Sequence, residues 1–175
     1  QHGLRDVQIY EVKGHLSDHY NPSNLTLNLS SEIYHGTSIA SLAVAAHECG
    51  HALQHQEGYK PLTFRNMIVP VCNISQTIGW IAILLGLFIG KSSISWLGVL
   101  LMSLMLLFQI VTLPVEFDAS SRALSILNDR YLTEDEYPGA KKMLTAAALT
   151  YVAAMLSTLL SLLRIVLMVM SRDRD

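Results

Sequence analysis

Three long apolar runs limit what this chain of 175 residues can fold into. They cover residues 67–90, about 94–113 and about 150–170. About 20 helical residues, rising 1.5 Å each, cross a hydrocarbon core of about 30 Å. Each run is therefore predicted to be a transmembrane helix, and the short polar break between the first two makes them a hairpin. The lipid bilayer is the partner that the sequence indicates most directly.

The composition indicates neither a nucleic-acid-binding protein nor a protein built on disulfides or cysteine metal sites. Hydrophobic residues make up 51% of the chain and charged residues 15%, and the apolar excess lies in the three runs. A formal net charge of -2 gives no basis for binding nucleic acid. Cys49 and Cys72 cannot form a disulfide framework or a Cys-x-x-Cys metal site, so both are predicted to be packing residues. Nothing in the composition indicates an oligomeric state.

An alanine-rich segment at 38–56 is predicted to be a helix that carries the letters H-E-C-G-H. Each helical residue turns by about 100°, so His47, Glu48 and His51 fall within one narrow sector. Two imidazoles one turn apart can hold one metal ion, and the adjacent glutamate can take a proton from a metal-bound water. This is the H-E-x-x-H arrangement of a zinc hydrolase. The segment therefore predicts one Zn²⁺ ion.

The third zinc ligand is predicted to be a carboxylate. All seven histidines lie at or before His55, so a ligand from the later half of the chain cannot be an imidazole. Two membrane crossings return the chain to the side of the motif, and Glu116 is among the first residues there. Two histidines and one carboxylate are an established ligand set of hydrolytic zinc sites, which favours Glu116. His55 is a strained alternative, because it lies eight residues, about 12 Å, from His47 along one helix.

The residue that orients the ligand histidines is left open by the spacing. A group on the ligand helix that supports a ligand histidine is expected four residues after the ligand glutamate, because that position shares its helical face. Here that position is Ser120, and Asp118 points about 200° away from Glu116 on a regular helix. A helix that begins at Asp118 would bring its carboxylate round; otherwise Ser120 or another group does the orienting. Asp118 can instead form an ion pair with Arg122, four residues on.

The residues before the motif helix predict a small β element. Residues 6–13 and 25–30 alternate apolar and polar positions and flank a turn-rich segment, which indicates a β-hairpin or a small sheet. An exposed strand edge beside a metal site can bind an extended peptide as an added strand. Turn and surface roles are predicted for His15, Asp18 and His19.

Two sequence features are predicted to set helix ends. Thr37 or Ser38 can cap the motif helix through its hydroxyl group. Pro114 is predicted to end the second apolar run, so that a separate helix at about 115–128 carries Glu116.

Four stretches of the chain together carry a resemblance to a known family. They read G-H-L-S-D-H-Y-N-P, H-E-C-G-H-A-L-Q, L-P-V-E-F-D-A-S-S-R-A-L and A-A-A-L-T-Y-V-A-A. Over nearly its whole length the chain resembles the bacterial neutral zinc metallopeptidases of the membrane, the YugP type, and it is more distantly similar to the HtpX-type membrane gluzincins. The resemblance implies a peptidase without implying its substrate. Members usually begin with a further membrane segment, so we expect one before Gln1.

The predicted fold class is mainly α with a small β element (α+β): a zincin-like metallopeptidase domain combined with about three transmembrane helices. Four segments are predicted: the β-hairpin and motif helix at 1–66, the transmembrane hairpin at 67–114, the third-ligand helix and a following helix at 115–149, and the C-terminal transmembrane helix with a polar tail at 150–175.

The predicted function is a membrane-embedded zinc endopeptidase that acts on peptide or protein substrates. Glu48 would act as general base on the zinc-bound water and then deliver the proton to the leaving amine. Tyr151 and His55 are candidates for stabilising the oxyanion. Membrane-protein quality control is a role suggested by analogy alone. The alternatives are a catalytically inactive, zinc-stabilised membrane protein with a scaffold or interaction role, and a helix bundle with a chance motif.

Basic residues indicate the orientation of this predicted bacterial cell-membrane protein. Near the membrane boundaries, the motif's side carries Lys60, Arg65, Arg122, Arg130, Lys141 and Lys142. The opposite hairpin turn has only Lys91, so the positive-inside rule predicts that the catalytic part lies on the cytoplasmic side. Arg172 and Arg174 at the far end argue mildly against this orientation. Arg164, inside the third run, is interpreted as snorkelling to the interface or pairing with a protein partner.

Overall fold

The computed structural model describes residues 3–172. The remaining residues, including the end of the predicted polar tail, lie outside the described part of the chain. The strands are β1 (Gln8–Val12), β2 (His19–Asn21) and β3 (Thr26–Ser30). The helices are α1 (Ser31–Tyr34), α2 (Ile39–Gln56), α3 (Lys60–Ile89), α4 (Ser92–Arg130) and α5 (Tyr137–Arg172). The predicted fold class, mainly helical with a small β element, is confirmed.

The chain divides into two compact units. The first comprises the residues up to Thr63 together with Pro114–Thr150, and the second comprises Phe64–Leu113 and the residues from Tyr151 onwards. Each of the three long helices contributes residues to both units. The four segments drawn from the sequence stay predictions.

A three-stranded sheet in the order β1-β3-β2 opens the first unit. β1, from the predicted strand at 6–13, runs parallel to β3, from the predicted strand at 25–30. The prediction that these two strands form a hairpin is therefore wrong, and the alternative prediction of a small sheet is confirmed. The reason is that the turn-rich segment between them contains β2, which makes the chain reverse twice rather than once. The antiparallel hairpin is formed by β2 and β3, and β2 is an edge strand.

Helix α2 begins where the sequence predicts. The Ser38 hydroxyl oxygen accepts a hydrogen bond from the backbone N–H of Ser41 at 3.0 Å, so Ser38 rather than Thr37 is the cap. The chain leaves the helix through Gly58, whose positive φ of 65° favours glycine. The H-E-C-G-H letters therefore lie well inside a regular helix, where their side-chain directions are fixed.

Small residues bring the helices of the first unit close together. Its core combines alanines with leucines from α2, α4 and α5: Ala43, Ala46, Ala123, Leu127, Ala140 and Leu144. At Gly50 a Cβ atom would lie 2.5 Å from the backbone oxygen of Ala119. Because an added side chain there would meet rigid backbone, glycine is what lets α2 approach α4 next to the motif histidines.

Pro114 does not end a helix. α4 runs from Ser92 to Arg130 with Pro114 inside it, so the predicted separate helix at 115–128 is wrong. Proline removes one N–H group and crowds the preceding turn, which bends a helix without necessarily ending it. Glu116 therefore lies on the same continuous helix as the second apolar run. This continuity also excludes a helix that begins at Asp118.

The second unit contains the apolar stretches of α3, α4 and α5. Each of these three helices is long and apolar enough to cross a membrane, as predicted. Ile83, Val99 and Val169 belong to their shared core, whereas Phe88 (89% exposed) and other large apolar side chains face outwards. An outward-facing apolar surface is stable in lipid rather than in water.

Candidate metal centre

Two helices of the first unit bring three predicted ligands together. His47 and His51 lie on α2, and Glu116 lies on α4. One ligand atom from each residue lies within 4.8 Å of the other two. The Nε2 atoms of His47 and His51 are 3.2 and 3.6 Å from Oε2 of Glu116. Glu116 is only 1% exposed, so its carboxylate is held in place away from bulk water.

These separations fit a zinc ion. With ligand bonds of about 2.0 to 2.2 Å, two ligand atoms of a tetrahedral zinc site are about 3.3 to 3.6 Å apart. Of the two nitrogen-to-oxygen distances, 3.6 Å lies at the upper end of that range and 3.2 Å lies just below its lower end. Two imidazole nitrogens and one carboxylate oxygen are also the donor set found in catalytic zinc sites with one open position.

The cluster favours positive charge. Burial lowers the pKa of His51, but the hydrogen bond and negative charge of Glu116 and the charge of Glu48 outweigh it, so the pKa lies above its usual value. Burial, assisted by the charge of Glu48, raises the pKa of the neighbouring Cys49 thiol. Cys49 therefore stays a neutral thiol. The negative charge of Glu116 and Glu48 favours a cation between the two histidines and Glu116.

Glu48 is held by the edge of the sheet. Its Oε2 accepts a hydrogen bond of 2.9 Å from the backbone N–H of Tyr20 in β2. Glu48 is 8% exposed and follows His47 directly on α2. One carboxylate oxygen is thus fixed by the backbone, and the neighbouring oxygen is available for other chemistry next to the cluster.

Different side chains support the two histidines. Oγ of Ser120 lies 3.2 Å from Nδ1 of His47, and Oε1 of Gln54 lies 3.0 Å from Nδ1 of His51. Asp118 touches neither histidine. Its Oδ2 accepts hydrogen bonds from Nε of Arg122 at 2.6 Å and from Nε2 of Gln54 at 2.8 Å.

The other predicted candidates are not members of the three-ligand cluster. His55 is exposed, and its Nδ1 is 2.9 Å from the hydroxyl group of Tyr20. Tyr151 belongs to the second unit and is 38% exposed. Asp18 binds the N–H and hydroxyl groups of Ser30 and so fastens the turn to β3.

The two histidines before the motif helix that were considered as ligands, His15 and His19, lie on the surface. Nδ1 of His19 lies 2.7 Å from the backbone oxygen of Ser17, and His15 is almost fully exposed beside Glu32. Both side chains are therefore surface residues, and His19 is the first residue of β2.

Two residues of the site were not singled out from the sequence. Gln54 follows His51 by three positions, which places both on one helical face, and this spacing was the available signal. Tyr20 acts through its backbone, so no side-chain pattern could reveal it.

The fold and the site define a helical membrane protein with a His-His-Glu cluster whose carboxylate is buried. The model of the family described as "Putative neutral zinc metallopeptidase" matches residues 1–170, and the chain belongs to this family. A curated relative, "Putative membrane protease YugP" of Bacillus subtilis (strain 168), is 45% identical over 174 residues, covering 99% of this chain and 77% of the relative. The resemblance expected from the sequence is thus confirmed. No solved structure matches the chain.

Proposed function

We propose that the protein is a membrane zinc endopeptidase that hydrolyses peptide bonds with one zinc ion held by His47, His51 and Glu116. The observation that carries the proposal is the convergence of these three ligand atoms beside the buried Glu48. A bound zinc ion would supply Lewis acidity, which polarises a scissile carbonyl group and makes a water molecule more acidic.

Glu48 is the proposed general base. Its Oε2 is held by the Tyr20 N–H, so the carboxylate has a fixed orientation and its other oxygen can take a proton from the attacking water. The same carboxyl group then gives that proton to the leaving amine nitrogen. His55 is the candidate within this unit for stabilising the oxyanion, and the Tyr20 hydroxyl group beside His55 Nδ1 would hold that ring in place.

The substrate is proposed to bind as a strand added to β2. Support comes from the position of β2 at the edge of the sheet, beside the helix that carries Glu48. In an added strand, alternate backbone amides donate hydrogen bonds to β2. We expect N-methylation of any one of these amides in a cleaved peptide to lower kcat/KM by roughly 2- to 12-fold, because it removes one hydrogen bond. The side chains stay unchanged in this series. Equal cleavage of all N-methylated peptides would contradict strand addition.

Removal of the metal should abolish peptide cleavage. We expect 1,10-phenanthroline to reduce the activity of the purified protein in lipid nanodiscs to background, and added zinc to restore it, because Glu48 alone cannot activate water sufficiently. A non-chelating phenanthroline isomer is the matched control. Activity that survives complete zinc removal would exclude the proposed mechanism. A zinc-loaded protein that cleaves no peptide would instead favour the inactive, zinc-stabilised scaffold.

The catalytic unit is proposed to lie on the cytoplasmic side of the bacterial membrane, where quality control of membrane proteins is the role suggested by analogy. Basic residues near the membrane boundaries support this orientation. In intact cells, a membrane-impermeant maleimide should label Lys91→Cys but should label Glu134→Cys only after permeabilisation. Both variants would carry alanine at the two natural cysteines. The reverse labelling pattern would overturn the orientation.

A further inference from the structure

Gln54 is a fully buried polar side chain at the junction of α2 and α4, with 0% exposure. Its Nε2 donates hydrogen bonds to the backbone oxygen of Val115 and to Oδ2 of Asp118, both at 2.8 Å. Its Oε1 faces Nδ1 of His51 at 3.0 Å. One amide group therefore links a proposed zinc ligand to the helix that carries Glu116.

The partners of Gln54 fix the direction of its amide group. Val115 offers a carbonyl oxygen and Asp118 a carboxylate oxygen, and both can only accept hydrogen bonds here. The amide NH₂ group must therefore face them, which leaves Oε1, an acceptor, towards His51. Nδ1 of His51 must then carry the proton, and in the neutral ring Nε2 has a free lone pair. That nitrogen is the one 3.6 Å from Glu116.

We propose that Gln54 is the positioning residue of the site: it holds His51 in the tautomer and ring orientation that present Nε2 to the metal. The proposal rests on the proposed zinc site. It also gives Asp118 an indirect role, because the aspartate acts on His51 through Gln54 instead of touching a histidine. Supporting partners of this kind change metal affinity by roughly 10- to 100-fold when they are removed.

A chain of charged groups keeps this amide in place. Nε of Arg122 donates to Asp118 at 2.6 Å, and its Nη1 donates to Oε2 of Glu57 at 2.7 Å. The guanidinium group therefore restrains the carboxylate that Gln54 binds. Through these contacts α4 fixes the orientation of a side chain on α2.

The test measures zinc affinity of the purified full chain by competition with a chromophoric chelator. We expect Gln54→Leu and Gln54→Glu to raise the Kd for zinc by roughly 10- to 100-fold. Leucine has no acceptor for His51, and a glutamate would face the Asp118 carboxylate and the Val115 oxygen. Gln56→Leu is the matched control, since this glutamine is exposed and its side chain bonds only to Gly3 among the described contacts. Its Kd should equal that of the wild type.

A double variant separates positioning from simple packing. In Gln54→Glu with Asp118→Asn, the asparagine NH₂ group can donate to the new glutamate, which can still accept from His51, whereas the contact with Arg122 Nε and the hydrogen bond to the Val115 oxygen are lost. We expect the double variant to bind zinc more tightly than Gln54→Glu, and the visible absorption spectrum of the cobalt-substituted protein to shift back towards that of the wild type. Full zinc affinity in folded Gln54→Leu, or a double variant that binds zinc no better than Gln54→Glu, would overturn the proposal. A wild-type chain that binds no zinc would instead refute the zinc site itself.

Discussion

Replacing Glu48 with glutamine is expected to lower kcat/KM for peptide cleavage by roughly 10²- to 10⁴-fold, the contribution typical of a general base. Glutamine has nearly the same shape, and its amide oxygen can still accept the hydrogen bond from the Tyr20 N–H. It cannot take up a proton from water. Glu48 is also outside the His-His-Glu cluster, so zinc should still bind with one ion per chain. The variant would therefore separate metal binding from chemistry.

Two measurements on this variant are needed together: cleavage of a fluorogenic peptide library and zinc content by mass spectrometry. Glu134→Gln is a suitable control, because it removes an exposed carboxylate from the same unit. We expect that control to behave as the wild type in both measurements. A Glu48→Gln protein with wild-type cleavage would exclude Glu48 as the general base.

Replacing Glu116 with alanine is expected to weaken zinc binding by more than about 100-fold. This is a larger effect than the roughly 10- to 100-fold expected for removing a residue that only supports a ligand, such as Gln54. The buried carboxylate is the only one of the three clustered ligands that comes from α4. Without it, two imidazoles from one helix remain, which is too few for a stable tetrahedral site. Cleavage should fall to background, because the metal that it requires is lost.

Zinc-dependent stability gives a second readout for the same residue. A ligand at 100 times its Kd adds about 2.7 kcal/mol to the unfolding free energy of the state that binds it. Zinc should therefore raise the thermal midpoint of the wild type and leave that of Glu116→Ala nearly unchanged. Glu116→Gln keeps the side-chain volume and controls for the cavity that alanine leaves. Stoichiometric zinc in both variants would show that Glu116 is not a ligand.

Periodicity and length were sufficient to predict α2 and the three membrane-length helices. Helix α2 was predicted with two candidate caps, of which Ser38 is the one used, because capping and the 3.6-residue repeat are local properties of the sequence. The prediction that Pro114 ends a helix was wrong. The sequence shows that proline lacks an N–H group, but it does not show whether the neighbouring residues allow the helix to continue with a bend. The parallel pairing of β1 with β3 was missed because it depends on β2, a strand of only three residues in a turn-rich segment.

The residues that carry the proposed chemistry were easier to predict from the sequence than the residues that support them. His47, Glu48 and His51 follow from helical spacing, and Glu116 follows from counting membrane crossings. The supports of the histidines depend instead on how closely two helices approach, which Gly50 and Ala119 determine. Spacing on one helix could not show that Asp118 reaches His51 through Gln54, because that contact crosses between α2 and α4.

The most direct test of the zinc site is an anomalous-scattering map of the protein, collected at the zinc absorption edge from crystals grown with zinc. We predict one strong peak in the first unit, about 2.0 to 2.2 Å from Nε2 of His47, Nε2 of His51 and a carboxylate oxygen of Glu116. A strong peak bound by other residues, or no peak between these three side chains in a zinc-loaded protein, would contradict the account.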